Sequence, residues 1–169
     1  MNVYTIKLEP IELRHDQAYY ALHTMIHTIL VQRTIGIPIR PKEISSPAFD
    51  DLIYTVIDDK AILDKVDTKL KEITTTIKPI RGKARIYLSL CSDTTKYGLM
   101  GAYTEHIEWE RWYIEFSFGS AASSLEKPMN AILEQCDVPP QHIPVNNFYF
   151  DIVDADVSTM FDILKPFFR

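Results

Sequence analysis

Leu22-His23-Thr24-Met25-Ile26-His27-Thr28-Ile29-Leu30-Val31-Gln32-Arg33-Thr34-Ile35-Gly36 is the stretch on which the fold turns. Leu22, Met25, Ile26, Ile29, Leu30 and Arg33 recur at spacings of three and four, the period of one helix face. The pattern predicts a helix from about Leu13 to Thr34, with Gly36 placed for a left-handed C-terminal cap. At 1.5 Å per residue such a helix is about 30 Å long, enough to run across a whole domain.

Upstream of it, Tyr4, Ile6 and Leu8 alternate with polar residues and predict a short strand ending at Pro10. Downstream, Ile37 to Phe49 holds three prolines and reads as an extended connection. Asp51 to Ile57 is apolar on both faces, which suggests an interior strand. Asp58-Asp59 offers an N-cap to a second helix whose stripe is Leu63, Val66, Leu70, Ile73 and Ile77, stopped by Pro79. Gly82 to Ser92 and Trp109 to Phe118 alternate cleanly as strands, and the polar Thr94 to Glu108 between them reads as an exposed excursion. A short helix is expected from about Leu125 to Cys136, with Met129, Ile132, Leu133 and Cys136 on one stripe. Phe148 to Val153 predicts a last strand and Val157 to Phe168 a last helix. The fold class is therefore α+β, one mostly antiparallel sheet covered by helices in a single domain over residues 1–169.

Composition narrows the function. Forty-six per cent apolar and 24% charged residues describe an ordinary globular chain. The formal net charge of −5 argues against general affinity for nucleic acid or anionic lipid. Five glycines in 169 residues count against phosphate-cradling glycine loops. Cys91 and Cys136 are too few for a disulfide framework or a four-thiolate zinc site. The apolar run from Tyr19 to Val31 is broken by His23, Thr24, His27 and Thr28 and is too short to span a bilayer, and the first residues show no signal peptide. The expectation is a soluble intracellular domain with reduced thiols.

Catalytic patterns are weak. His23 and His27 have the spacing of a two-histidine metal face, but Thr24 stands where a zinc protease needs its glutamate. No third ligand is named among His15, His106 and His142, and two histidines at a core edge is the plainer explanation. Gly119-Ser120 lacks the glycines of a nucleophile elbow, and Gly98-Leu99-Met100-Gly101 is not a dinucleotide fingerprint. The paired aspartates at element ends are explained by caps and turns. The 2 Trp, 9 Tyr and 8 Phe supply contact surface instead. Trp109 and Trp112, three apart on a strand, should point to opposite faces, so one of them needs a cover from a loop or a partner protein.

The helix text from Leu22 to Gly36, the strand and acidic-capped helix from Asp51 to Ile73, and Ile107-Glu108-Trp109-Glu110-Arg111-Trp112 resemble the autophagy-related protein 101 family. The closing strand from Phe148 and the helix from Thr159 match more weakly. The resemblance implies a HORMA domain: an antiparallel sheet backed by three helices, with a further C-terminal strand and helix that pack in more than one arrangement. It implies no enzyme and no cofactor. The implied role is a scaffold subunit of the autophagy-initiation kinase complex that binds and stabilises the HORMA domain of autophagy-related protein 13. Such a protein is cytoplasmic and recruited to the autophagosome formation site, the preautophagosomal structure, without inserting into a membrane.

The HORMA analogy puts the partner surface on the end of the first helix and the face of the third, namely Val31, Gln32, Arg33, Met129, Ile132 and Leu133. Many family members carry a Trp-Pro-Phe finger before the paired tryptophans. In register this chain has Met100-Gly101-Ala102, so the recruiting anchors are absent, and Leu99, Met100 and Tyr103 form a weaker apolar candidate. Two alternatives stand beside this reading. One is a HORMA adaptor of the spindle-checkpoint or polymerase-subunit kind that captures a peptide. The other is a small metal-dependent hydrolase using His23 and His27.

Overall fold

The computed structural model describes residues 3–34, 38–77, 82–137 and 149–155. In chain order the elements are β1 (Tyr4–Lys7), β2 (Ile11–Leu13), a 3-10 turn (His15–Gln17), α1 (Ala18–Arg33), β3 (Pro41–Ser45), β4 (Ile53–Ile57), α2 (Lys60–Thr76), β5 (Lys83–Gly98), β6 (Gly101–Phe118), α3 (Glu126–Asp137) and β7 (Tyr149–Asp154). This is the expected mixed α+β content, three helices with a mostly antiparallel sheet and a C-terminal strand, consistent with a HORMA-like fold. The predicted Gly36 cap, the Pro79 stop and the helix from Val157 lie outside the described residues.

The main sheet runs β1-β6-β5-β7, with β2 also on β6. β1 and β2 pair parallel with β6, whereas β5 pairs antiparallel with β6 and with β7. Pro10 sits between β1 and β2, where it has no ladder bond to break. Leu13, expected at the start of the long helix, instead ends β2 opposite Phe118. Gln17 explains the shift. Its Oε1 accepts from the backbone N–H of Arg14 at 3.2 Å and of Ala122 at 2.9 Å, and its Nε2 donates to the Ala122 carbonyl at 2.9 Å. These bonds fasten a turn where the helix would otherwise have begun.

α1 is buried on nearly every side, from Ala18 to Arg33, because β4, α2 and α3 all pack against it. A helix apolar only along one stripe would lie on the surface; this one is a central pillar. α2 begins as its aspartates predict: the Asp59 carboxylate accepts from the backbone of Ala61 at 2.9 Å and Ile62 at 3.1 Å. Val66, Leu70 and Ile73 face inward.

Two expectations are corrected. β4 is not an interior strand of the main sheet; it pairs with β3 in a separate two-stranded sheet and packs against α1, with Tyr54, Val56 and Ile57 buried and Ile53 exposed. The proline-rich connection thus contains a strand, with Pro41 at its first residue, a position an edge strand tolerates. Trp109 and Trp112 do not part company either: both are buried in one core. Leu90 pairs with Glu110 and Cys91 with Glu108, so Trp109 is the extra residue of a β-bulge. The bulge resets the alternation, leaving Glu110, Trp112, Ile114 and Phe116 inward on one side of it and Trp109 inward on the other.

Candidate functional site

β5 and β6 do not end where the core ends. Beyond the bulge they run on as a paired ladder to Gly98 opposite Gly101, so the predicted exposed excursion is a projecting finger rather than a loop. Eight β5 residues from Cys91 to Gly98 give it a reach of about 27 Å at roughly 3.4 Å per residue. Leu99 and Met100 form the turn, and Gly101 follows with φ +114°, a conformation that an L side chain rarely adopts. Leu99 and Met100 are fully exposed, with Tyr97 and Tyr103 exposed below them. The sequence candidates Leu99, Met100 and Tyr103 are therefore brought together, and Tyr97 joins them; two glycines, Gly98 and Gly101, with two residues between them are the sequence signal for such a turn.

The finger is braced by polar pairs across its strands. Lys96 Nζ lies 2.5 Å from Glu105, and His106 Nδ1 lies 2.6 Å from Asp93. Tyr149 Oη of β7 reaches within 3.2 Å of the same histidine nitrogen. At the base, Glu108 accepts from Ser89 Oγ at 2.6 Å and from Arg111 Nε at 2.7 Å. Those two hydrogen bonds hold the Glu108 carboxyl below its ordinary range in spite of burial, which acts the other way.

The second candidate surface lies where α1 and α3 meet. Of its six residues, Leu133 is 42% exposed, and Val31, Gln32 and Met129 are half-buried. Arg33 and Ile132 are interior, at 1% and 0% exposure. The Arg33 Nε donates to Glu110 Oε1 at 2.8 Å, the guanidinium lies 5.6 Å from the centre of the Trp112 ring, and Trp112 Nε1 donates to the same carboxylate oxygen at 2.5 Å. Arg33 thus anchors α1 to the strand that carries the tryptophans. Ile132 fills the core beside the buried Cys136, whose thiol burial pushes up to about 11. The accessible part of the expected patch is Val31, Gln32, Met129 and Leu133.

His23 and His27 face α2 and β4. Tyr54 Oη is 2.6 Å from His23 Nδ1, and Asp67 Oδ1 is 3.2 Å from His23 Nε2. His15, eight residues before His23, is engaged elsewhere, with its Nε2 2.7 Å from the Ile77 carbonyl, and His142 lies outside the described residues. Among the described residues no three His, Cys, Asp or Glu side chains are grouped to hold a metal ion. Cys91 is half-buried, and burial with the neighbouring Glu108 and Asp151 raises its thiol above the ordinary range, the reverse of an activated nucleophile.

A family model described as Autophagy-related protein 101 matches residues 10–147. The chain belongs to that family. No curated protein matches the chain. The matched span of the Autophagy-related protein 101 family takes in α1, the two-stranded sheet, α2, the finger and α3, so both candidate surfaces fall within it. Among the described residues no helix is long and apolar enough to cross a membrane.

Proposed function

We propose that this chain is a non-catalytic scaffold subunit of the autophagy-initiation kinase complex, folded as a single HORMA domain over residues 1–169. In this reading it binds and stabilises the HORMA domain of autophagy-related protein 13 as a heterodimer, and is recruited from the cytoplasm to the autophagosome formation site. The observation that carries the proposal is the family match over residues 10–147. Val31, Gln32, Met129 and Leu133 are the part of the α1–α3 patch that a partner can reach, with Arg33 and Ile132 holding the two helices in place beneath it. A stable pair should bury about 800 Å² on each side.

The apolar finger tip of Leu99, Met100, Tyr97 and Tyr103 is the recruiting element in this reading, standing where relatives of the resemblance carry a Trp-Pro-Phe finger. Its tip residues, 97–103, share none of the residues of the α1–α3 patch, so substitutions can address pairing and recruitment one at a time. Co-purification with the tagged HORMA partner, read by mass, tests the pairing. Leu133→Asp should abolish co-purification while leaving the monomer folded, since that side chain is largely outside the core. Undiminished pairing by this variant would remove the surface assignment.

A further inference from the structure

α1 carries two histidines that the scaffold role leaves unused. They lie one helical turn apart with ring centroids 4.4 Å from each other, enclosed by α1, α2 and β4. The polar groups around them come from all three elements: Tyr19 from α1, Tyr54 from β4 and Asp67 from α2. Tyr19 Oη donates to Asp67 Oδ1 at 2.9 Å, the same oxygen that lies 3.2 Å from His23 Nε2. A carboxylate oxygen accepts, which places the proton of neutral His23 on Nε2 and leaves Nδ1 to accept from the Tyr54 hydroxyl. His23 is thus satisfied on both sides when neutral, and Asp67 gives it a counter-charge if it takes a second proton.

His27 differs. It is fully buried, and neither ring nitrogen has a hydrogen-bond partner among the described residues. A proton placed on it would be desolvated and would sit about one ring's width from His23. We propose that His23 and His27, with Tyr54 and Asp67, form an acid-sensitive latch that keeps α2 and β4 seated on α1 at neutral pH and holds them less firmly on acidification.

The sign follows from burial. Desolvation, and then the neighbouring His23, push His27 down to about 3, while desolvation lowers His23 against the pull of Asp67. In the unfolded chain both titrate near 6.5. The latch is therefore fully closed above about pH 6.5, and its stabilisation fades as pH falls from there toward the folded value.

Urea unfolding of the full chain at pH 7.5 and pH 5 gives the first test. One extra proton bound by the unfolded His27 raises the unfolding equilibrium constant about thirtyfold over that interval, and His27→Leu should lose that factor. Parallel pH dependences for the two proteins would overturn the latch. If His27→Leu does not fold, the imidazole NMR titration of the unmodified chain decides: the His27 ring should remain neutral at pH 5, and a ring that titrates near 6.5 in the folded protein would overturn the proposal. Amide exchange locates the effect. Protection in α2 and β4 should fall on acidification before protection in β5 and β6, whereas a uniform loss would mean general acid unfolding and not a latch.

Discussion

The β5–β6 hairpin is two structures on one ladder. Below the bulge at Trp109, inward residues alternate with outward ones, and Ile86, Leu88, Leu90, Trp112, Ile114 and Phe116 are all buried. Beyond it, from Asp93 to Tyr103, the described side chains are exposed on both faces. Both halves have the same backbone pairing, so pairing alone does not distinguish them. What differs is what backs the strands: a core below, cross-strand pairs and solvent above. Sequence in the lower half is constrained by stability, and sequence in the upper half is available for recognition.

The sharpest break in this comparison comes from the lower half. Trp112→Ala removes a fully buried indole and its hydrogen bond to Glu110, and should cost about 3–5 kcal/mol in urea unfolding, enough to leave much of the chain unfolded. Arg33→Ala strips the buried Glu110 of its counter-charge and should also cost about 3–5 kcal/mol, whereas replacing both partners together with Arg33→Met and Glu110→Leu should restore most of that loss. At the turn, Gly101→Ala forces a side chain onto a positive-φ residue, for about 1–2 kcal/mol, seen as lost amide protection confined to the finger. The smallest change in stability, within about 0.5 kcal/mol, is expected from Leu99→Ser with Met100→Ser, which nevertheless should abolish capture of recruited factors in a pulldown. A tip variant that unfolds the domain, or a Trp112 variant that does not, would erase the distinction between the halves.

Much of this architecture was legible from residue pattern. The helix periodicities, the Asp59 cap and the alternation of Gly82 to Ser92 and Trp109 to Phe118 depend on local spacing, and they appear where expected. The errors arose where one residue depends on a distant one. Leu13 belongs to a strand because Phe118 lies beside it, and the helix start is delayed by Gln17 bonds to Ala122, 105 residues away. β3 was hidden by prolines that happen to fall at an edge, and the bulge at Trp109 is invisible without the partner strand that supplies its register. The tip residues were found from a resemblance, but their common projection was not, because polar residues from Thr94 to Glu108 gave no sign that the strands continue. Arg33 and Ile132 lay on the expected patch by helical spacing, yet spacing does not say which side of a face is covered by the molecule itself.

The bulge absorbs its extra residue just where the ladder leaves the interior. From Thr94 opposite Glu105 to the turn, residues are removable in opposed twos, one from each strand, and every such excision lowers the Leu99-Met100 knob by about 3.4 Å without altering which side chains the body of the domain encloses. The height at which the knob is held is therefore an independent variable, open to lengthening or trimming over evolutionary time, while folding is left undisturbed.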